Sequence, residues 1–364
     1  MLLSSSDLTL NVGDGRVKPR RIVEEQLVRV GRGVYIKKEA LTRDPEPWKV
    51  RARVAEARLL AFNARASKPG TYSFTGESAM VALGLEPWWS NPNISVRRRA
   101  RSGLQTEMSA IPLGVTTVPG VRIQQTSTFS NSLDRPILTP SGLPNSPVSL
   151  VVLDLARSAH PLQAFHDVSV LLRFHARFSR WQLEASRTRA QVAKNSLHQE
   201  LHALRANSAG VIRGFQRALK LINVSEPGVD SPAESIVLWA LHCVLEPGYI
   251  IQSQRAFTAN GRNRFVDIAL PEPQIAIEVS GFGKFGGSSA SAHEIAAAAM
   301  RRQQDLDDLG WSIINVTYRQ AKDIKGLISY LTERLSVHGV KTRSAQGELW
   351  LPPTAELFAR DRRS

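Results

Sequence analysis

The stretch RFVDIALPEPQIAIEVS, residues 264–280, decides the fold class of this chain. Two short runs rich in Val and Ile, Arg264–Leu270 and Ile275–Ser280, flank the turn-forming Pro271–Gln274 and read as neighbouring β-strands. Each carries one acid at its centre: Asp267 between Val266 and Ile268, and Glu278 between Ile277 and Val279. Carboxylates are poor strand residues and are costly to bury unpaired. The pair therefore either faces solvent, which the alternation in RFVDIAL permits, or meets a compensating partner. A hard divalent cation, Mg²⁺ or Mn²⁺, is such a partner, because it takes oxygen ligands from one or two carboxylates and from phosphate. There it would polarise a phosphodiester and lower the pKa of an attacking water.

Toward the N-terminus, Ser231-Pro232-Ala233-Glu234 opens an apolar helix that Pro247-Gly248 ends. Ser231 and Glu234 have capping-box spacing, with Pro232 at the first helical position. Tyr249–Phe257, which contains Gln254, reads as a strand, and Asn260-Gly261 as a hairpin signal. Toward the C-terminus follow a glycine-rich loop, Gly281–Ser289, with Lys284, and a long helix, Ala290–Leu309, with His293, Arg301 and Arg302. Gly310 caps that helix, Trp311–Thr317 is a fourth strand and Gln320–Leu335 a final helix. The expected order is helix, three strands, helix, strand, helix.

Further out, Arg20–Ile36 (RRIVEEQLVRVGRGVYI) is a short helical pattern followed by two β-rich runs around Gly31-Arg32-Gly33. It reads either as a winged helix, with Arg29 and Arg32 on the wing where phosphates position a protein on DNA, or as an ordinary surface hairpin. Trp48–Ala66 is helical in pattern, Ser73–Leu85 a strand and a helix, and Asn93–Arg101 a strand ending in a basic cluster. Residues 116–147 read as short strands and loops, and residues 149–223 as mostly helical with a break at His160-Pro161. The expected organisation is a winged-helix-like module over 1–46, a mixed α/β and helical middle over 47–225, an α/β domain over 226–340 and a loosely held tail over 341–364.

Composition sets the outer bounds. At 364 residues and 42% hydrophobic, the chain suits two or three packed domains and not wholesale disorder. The single Cys243 excludes a disulfide framework and a multi-cysteine metal cluster, and its apolar helical setting reads as a buried structural thiol. The start, Met-Leu-Leu-Ser-Ser-Ser-Asp, lacks the pattern of a signal peptide, and no window is apolar enough for a membrane span. A cytoplasmic protein without a membrane partner is expected. The net charge of +15 divides as +8 over residues 1–100, +4 over 101–200 and +3 over the remainder. It suggests a polyanion, nucleic acid above all, unless the composition is generically Arg-rich. No phosphate-cradling glycine motif after a strand and no nucleophile elbow is present.

In its element order, with Asp267 and Glu278-x-Ser280, the C-terminal region resembles the PD-(D/E)XK nuclease superfamily. More closely it resembles actinobacterial proteins that carry an endonuclease domain related to very-short-patch-repair nucleases. That family's Ser-Pro-x-Glu helix start falls on Ser231–Glu234, its first-strand Gln on Gln254 and its second-strand Asp on Asp267. Glu278, Gly281 and Leu309-Gly310-Trp311 fall on its third-strand signature and its later strand entry. The resemblance covers Pro227 to Leu335 and implies an α-βββ-α-β restriction-endonuclease-like domain acting on DNA. By it, Asp267 and Glu278 would hold Mg²⁺ or Mn²⁺, with Glu234 supporting the metal or its water. Gln254 would orient the site or touch substrate, or is an exposed strand glutamine, and Lys284 would stabilise developing charge or is an exposed loop lysine. Arg301 and Arg302 on the next helix are candidates for phosphate contact or an ordinary solvated face. The superfamily's lysine is Ser280 here, and the closer family's aspartate is missing as well. That departure keeps open a non-catalytic DNA-binding regulator or antitoxin-like protein with a degenerate nuclease fold. Upstream, Leu27–Ile36 and Ser73–Leu85 resemble the winged-helix region of abortive-infection-type antitoxins of type IV toxin–antitoxin systems, which implies DNA binding.

Overall fold

The described residues form a mixed set of helices and strands, and the chain divides into two units. One unit comprises Met1–Ala159, Leu197–Ala218 and Thr354–Ser364, the other His160–Ser196 and Leu219–Pro353. The structure is a computed structural model that describes residues 3–10, 17–66, 71–98, 106–127, 135–259, 262–280 and 292–358.

In the first unit, β1 (Leu8–Leu10), α1 (Pro19–Glu24), β2 (Leu27–Gly31) and β3 (Val34–Lys37) form a small antiparallel sheet in the order β1-β3-β2. Gly33, at φ 63°, supplies the left-handed residue that the tight β2–β3 turn needs. Alternation buries Val30, Val34 and Ile36, which join one core with Leu41 of α2 (Lys38–Thr42) and with Val54, Leu59 and Leu60 of α3 (Pro47–Arg65). Then come β4 (Tyr72–Phe74), α4 (Gly76–Ala82), β5 (Ile94–Arg98), β6 (Glu107–Met108), β7 (Ile111–Pro112), β8 (Thr117–Val118) and β9 (Val121–Ser127). β10 (Ile137–Leu138), β11 (Pro144–Asn145) and α5 (Val148–Ser158) follow. Six of these strands make a sheet in the order β10-β11-β4-β5-β9-β6. Its buried charge is fully compensated: Arg97 donates to both oxygens of Asp154 (2.8 and 3.0 Å), and Thr75 Oγ1 donates to the same carboxylate (2.7 Å). Arg58, also buried, donates to Asn91 Oδ1 and to the carbonyls of Ser109 and Pro119, tying loops to α3.

The second unit takes α6 (Pro161–His175), α7 (Leu183–Ala206) as far as Ser196, and α8 (Phe215–Val224) from Leu219 onward. α9 (Pro232–Val244) leads into β12 (Gln252–Ala259), β13 (Arg262–Leu270) and β14 (Ile275–Ser280). α10 (Ala292–Asp307), β15 (Ser312–Thr317), α11 (Tyr318–Lys322) and α12 (Ile324–Val337) complete it. The sheet runs β12-β13-β14-β15, antiparallel for the first two pairings and parallel for β14–β15. A parallel neighbour requires a crossover connection, and α10 lies in it. The chain thus follows the expected order, with one difference. The final helix is divided at Asp323, whose carboxylate accepts the Gly326 N–H and so starts α12 afresh. The Asn260-Gly261 turn and the Gly281–Ser289 loop lie outside the described residues.

The segment after residue 340, expected to be loosely held, is anchored as far as residue 358. Arg343 N–H donates to Val244 O (2.7 Å), Trp239 Nε1–H to Leu349 O (2.9 Å), and Trp350 stacks on Trp239 with centroids 5.4 Å apart. In the first unit, Trp88 Nε1–H donates to Leu357 O (3.1 Å). Two buried indoles therefore give a largely polar segment its attachment points. No helix among the described residues is long and apolar enough to cross a membrane.

Candidate active site

The site begins with the helix cap of α9. Ser231 Oγ accepts the Glu234 N–H (3.2 Å) and donates to Glu234 Oε1 (2.9 Å), while Glu234 Oε2 accepts the Asp230 N–H (2.9 Å). The carboxylate thus reaches one residue further back than a capping box requires. It is only 2% exposed. Burial first, and then the charge of Asp267, push the Glu234 carboxyl up to about 7. Ser231 therefore caps the helix, and the Glu234 carboxylate extends that cap back to Asp230.

Asp267 is buried in β13, and its Oδ2 accepts the Val279 N–H (2.9 Å) of β14. Gln254, buried in β12, lies between the paired positions Ser253↔Ile268 and Arg255↔Val266, and so stands across from Asp267. Its φ is 49°, a left-handed conformation that costs a non-glycine residue free energy. Gly228 packs under this point: a Cβ there would lie 2.3 Å from Ser253 Oγ and 3.3 Å from Gln254 Cγ. Glu278, half-buried on β14, accepts a hydrogen bond from Arg302 Nη2 (2.7 Å), and the same nitrogen donates to Phe265 O. Arg302 Nε is buried without a hydrogen-bond partner among the described residues.

These residues meet at a cavity of about 310 Å³. Glu234, Gln254, Asp267 and Arg302, all singled out from sequence, line it together with Asp230, Asn263, Phe265, Arg180 and Arg264. Glu278 is not in the lining and faces Arg302 instead. Asp230 pairs with Arg173, and Arg264 with Asp305 (2.9 Å). Arg180 makes no ion pair among the described residues. Arg301 is exposed on α10, His293 lies in that helix's first turn, and Lys284 lies outside the described residues. Arg29 and Arg32 are exposed in the first unit, where they line a second cavity of about 440 Å³ with Tyr35 and Met108. Sequence reading missed Arg180, Asp230, Arg264 and Phe265 as partners, and the one available signal was the Arg180-Trp181 step at a helix start.

Among the described residues no group of three or more His, Cys, Asp and Glu is arranged around one metal position. The available donors are the carboxylates of Glu234 and Asp267 and the amide oxygen of Gln254. They are hard oxygens of the kind that hold Mg²⁺ when phosphate and water complete the shell. Burial, and after it the charge of Asp267, disfavours the Glu234 carboxylate, and a cation would answer that electrostatic demand. Glu234, Asp267 and Gln254 are the cavity residues that would hold such a cation, with phosphate and water completing its shell. No family model matches the chain, and neither a curated protein nor a solved structure matches it.

Proposed function

We propose that this chain is a cytoplasmic DNA-binding protein whose second unit hydrolyses phosphodiester bonds with Mg²⁺ or Mn²⁺. The observation that carries the reading is one cavity in which the mutually repelling acids Glu234 and Asp267 stand among three arginines. A phosphodiester held with a divalent cation satisfies both sets, the cation meeting the carboxylates and the phosphate meeting guanidinium groups. The restriction-endonuclease-like resemblance and the element order around Asp267 agree with it.

On this reading Asp267, fixed by the Val279 N–H, and Glu234 hold the cation, and the Gln254 amide orients it. When bound, the cation polarises the phosphodiester and makes an attacking water more acidic. Burial and the charge of Asp267 disfavour the charged form of Glu234, and a cation held there would draw it back toward the carboxylate. Arg302, which also donates to Glu278, lines the cavity with Arg180, and the two would meet phosphate charge there. The α1–β2–β3 segment, with Arg29 and Arg32 exposed, serves as a winged-helix-like DNA contact on phosphates.

A second reading has its own support. Glu278 already has a cation in Arg302, and Ser280 stands where the superfamily has lysine, as expected of a non-catalytic DNA-binding regulator of the antitoxin type. Calorimetry of the full chain with Mn²⁺, with and without a short DNA, separates the two. Binding that disappears in Glu234→Gln/Asp267→Asn supports the nuclease. DNA binding that ignores both the metal and the double substitution selects the regulator.

A further inference from the structure

Trp181 is 74% exposed, although indole is among the side chains that lose most by facing water. It stands at the rim of the acid–arginine cavity. Its ring meets that of Phe265, a cavity residue, at 5.5 Å and 88°, and the guanidinium of its neighbour Arg180, another cavity residue, lies 5.3 Å from its centroid.

The backbone that presents the ring is firmly held. Trp181 N–H donates to Ser179 Oγ (3.3 Å), Ser179 N–H donates to Ser186 Oγ (3.0 Å), and that hydroxyl donates back to Ser179 O (3.1 Å). Arg189, from α7, donates to the carbonyls of Ala176 (2.7 Å) and Arg177 (3.1 Å), fixing the turn in which Arg177 has φ 45°. An exposed ring on a fixed backbone has only its two side-chain torsions left to lose on binding.

Resting on the phosphodiesterase reading above, we infer that Trp181 is a stacking platform for an unpaired DNA base next to the phosphate at Glu234 and Asp267. The preferred substrate is then single-stranded or locally opened DNA. Every base has a π-face, so a flat ring binds bases irrespective of sequence, but in an intact duplex those faces are already occupied by their neighbours. Arg180, beside the ring and without an acidic partner among the described residues, suits the backbone phosphate of the same nucleotide. A lone indole between arginines and acids lacks the contiguous apolar area that a protein partner would need.

The test uses the full chain with Ca²⁺ in place of Mg²⁺, so that the acids keep a divalent cation and binding is read on intact probes. Its probes are labelled DNAs of one sequence: a single strand, a duplex, and the duplex with one unpaired 2-aminopurine. Trp181→Ala should weaken binding to the single strand and the bulged duplex by about ten- to hundredfold while sparing the intact duplex. Trp181→Phe should keep most of the affinity, and the quench of 2-aminopurine seen with wild type should be lost in Trp181→Ala. Equal binding by wild type and Trp181→Ala, equal losses on all three probes, or a wild-type preference for intact duplex overturns the inference. If wild type binds none of the probes, the proposed function falls with it; if it binds all three regardless of Trp181, only the platform falls.

Discussion

Replacing Glu234 by Gln should stabilise the protein above pH 8 and destabilise it slightly only below about pH 4. The folded carboxyl titrates at about 7 against an ordinary value of 4.5. The folded chain therefore holds more protons than the unfolded chain between those values. Stability falls as the pH rises through that window, and the penalty is complete above it. The shift corresponds to about 3 kcal/mol. Glutamine removes this titration but offers one oxygen where the carboxylate accepts from both Ser231 and Asp230, a constant loss of about 1 kcal/mol. The variant should therefore be about 2 kcal/mol more stable than wild type at pH 8.5, nearly equal to it at pH 5, and about 1 kcal/mol less stable only below about pH 4. Denaturant unfolding of both proteins at half-unit pH steps reads the difference directly. Mg²⁺ added at pH 8.5 should remove part of the wild-type penalty and leave the variant unchanged. Wild-type and variant curves that run parallel from pH 5 to 8.5 would refute a buried, raised carboxyl.

Other substitutions probe the rest of the site and its supports. Gln254→Gly should be more stable than Gln254→Ala by about 1 kcal/mol in thermal unfolding, because only glycine adopts the left-handed φ without strain; the reverse order would contradict the strain. Arg302→Ala should destabilise by about 1–2 kcal/mol, discounted for a guanidinium that is one-third exposed, and Glu278→Gln in the same background should recover part of it; additive losses would count against the pair. Trp350→Ala should lower stability by about 2 kcal/mol by uncovering Trp239, whereas an unchanged midpoint would mean that the segment after residue 340 is not anchored there.

Much of the second unit was legible because its strands are short apolar runs bounded by Pro, Gly and Asn, and its first helix opens with a clear cap. Asp267 and Glu278 stood out because acids at strand centres demand a reason. The partners those acids take were not legible. The Arg302–Glu278 pair joins a helix to a strand 24 positions away, and nothing in the local pattern distinguishes Arg302 from the exposed Arg301 beside it. Arg180 and Trp181 reach the site from a turn well upstream of the region where the motifs lie, so only the fold brings them there. Gln254 adopts a backbone conformation for which glutamine carries no preference. The anchored segment after residue 340 escaped notice because two indoles hold it while its flanking residues are polar. By contrast, Asp323 three residues before Gly326 was a cap signal present in the sequence, and it accounts for the break before the last helix.

The most direct test of the central claim is cleavage of end-labelled single-stranded and bulged DNA by the full chain with Mg²⁺ or Mn²⁺, compared with Asp267→Asn. Metal-dependent cleavage is expected that stops in EDTA and falls by about a hundredfold or more in the variant, with DNA binding retained. No cleavage of either DNA, or cleavage that Asp267→Asn leaves intact, would contradict the claim.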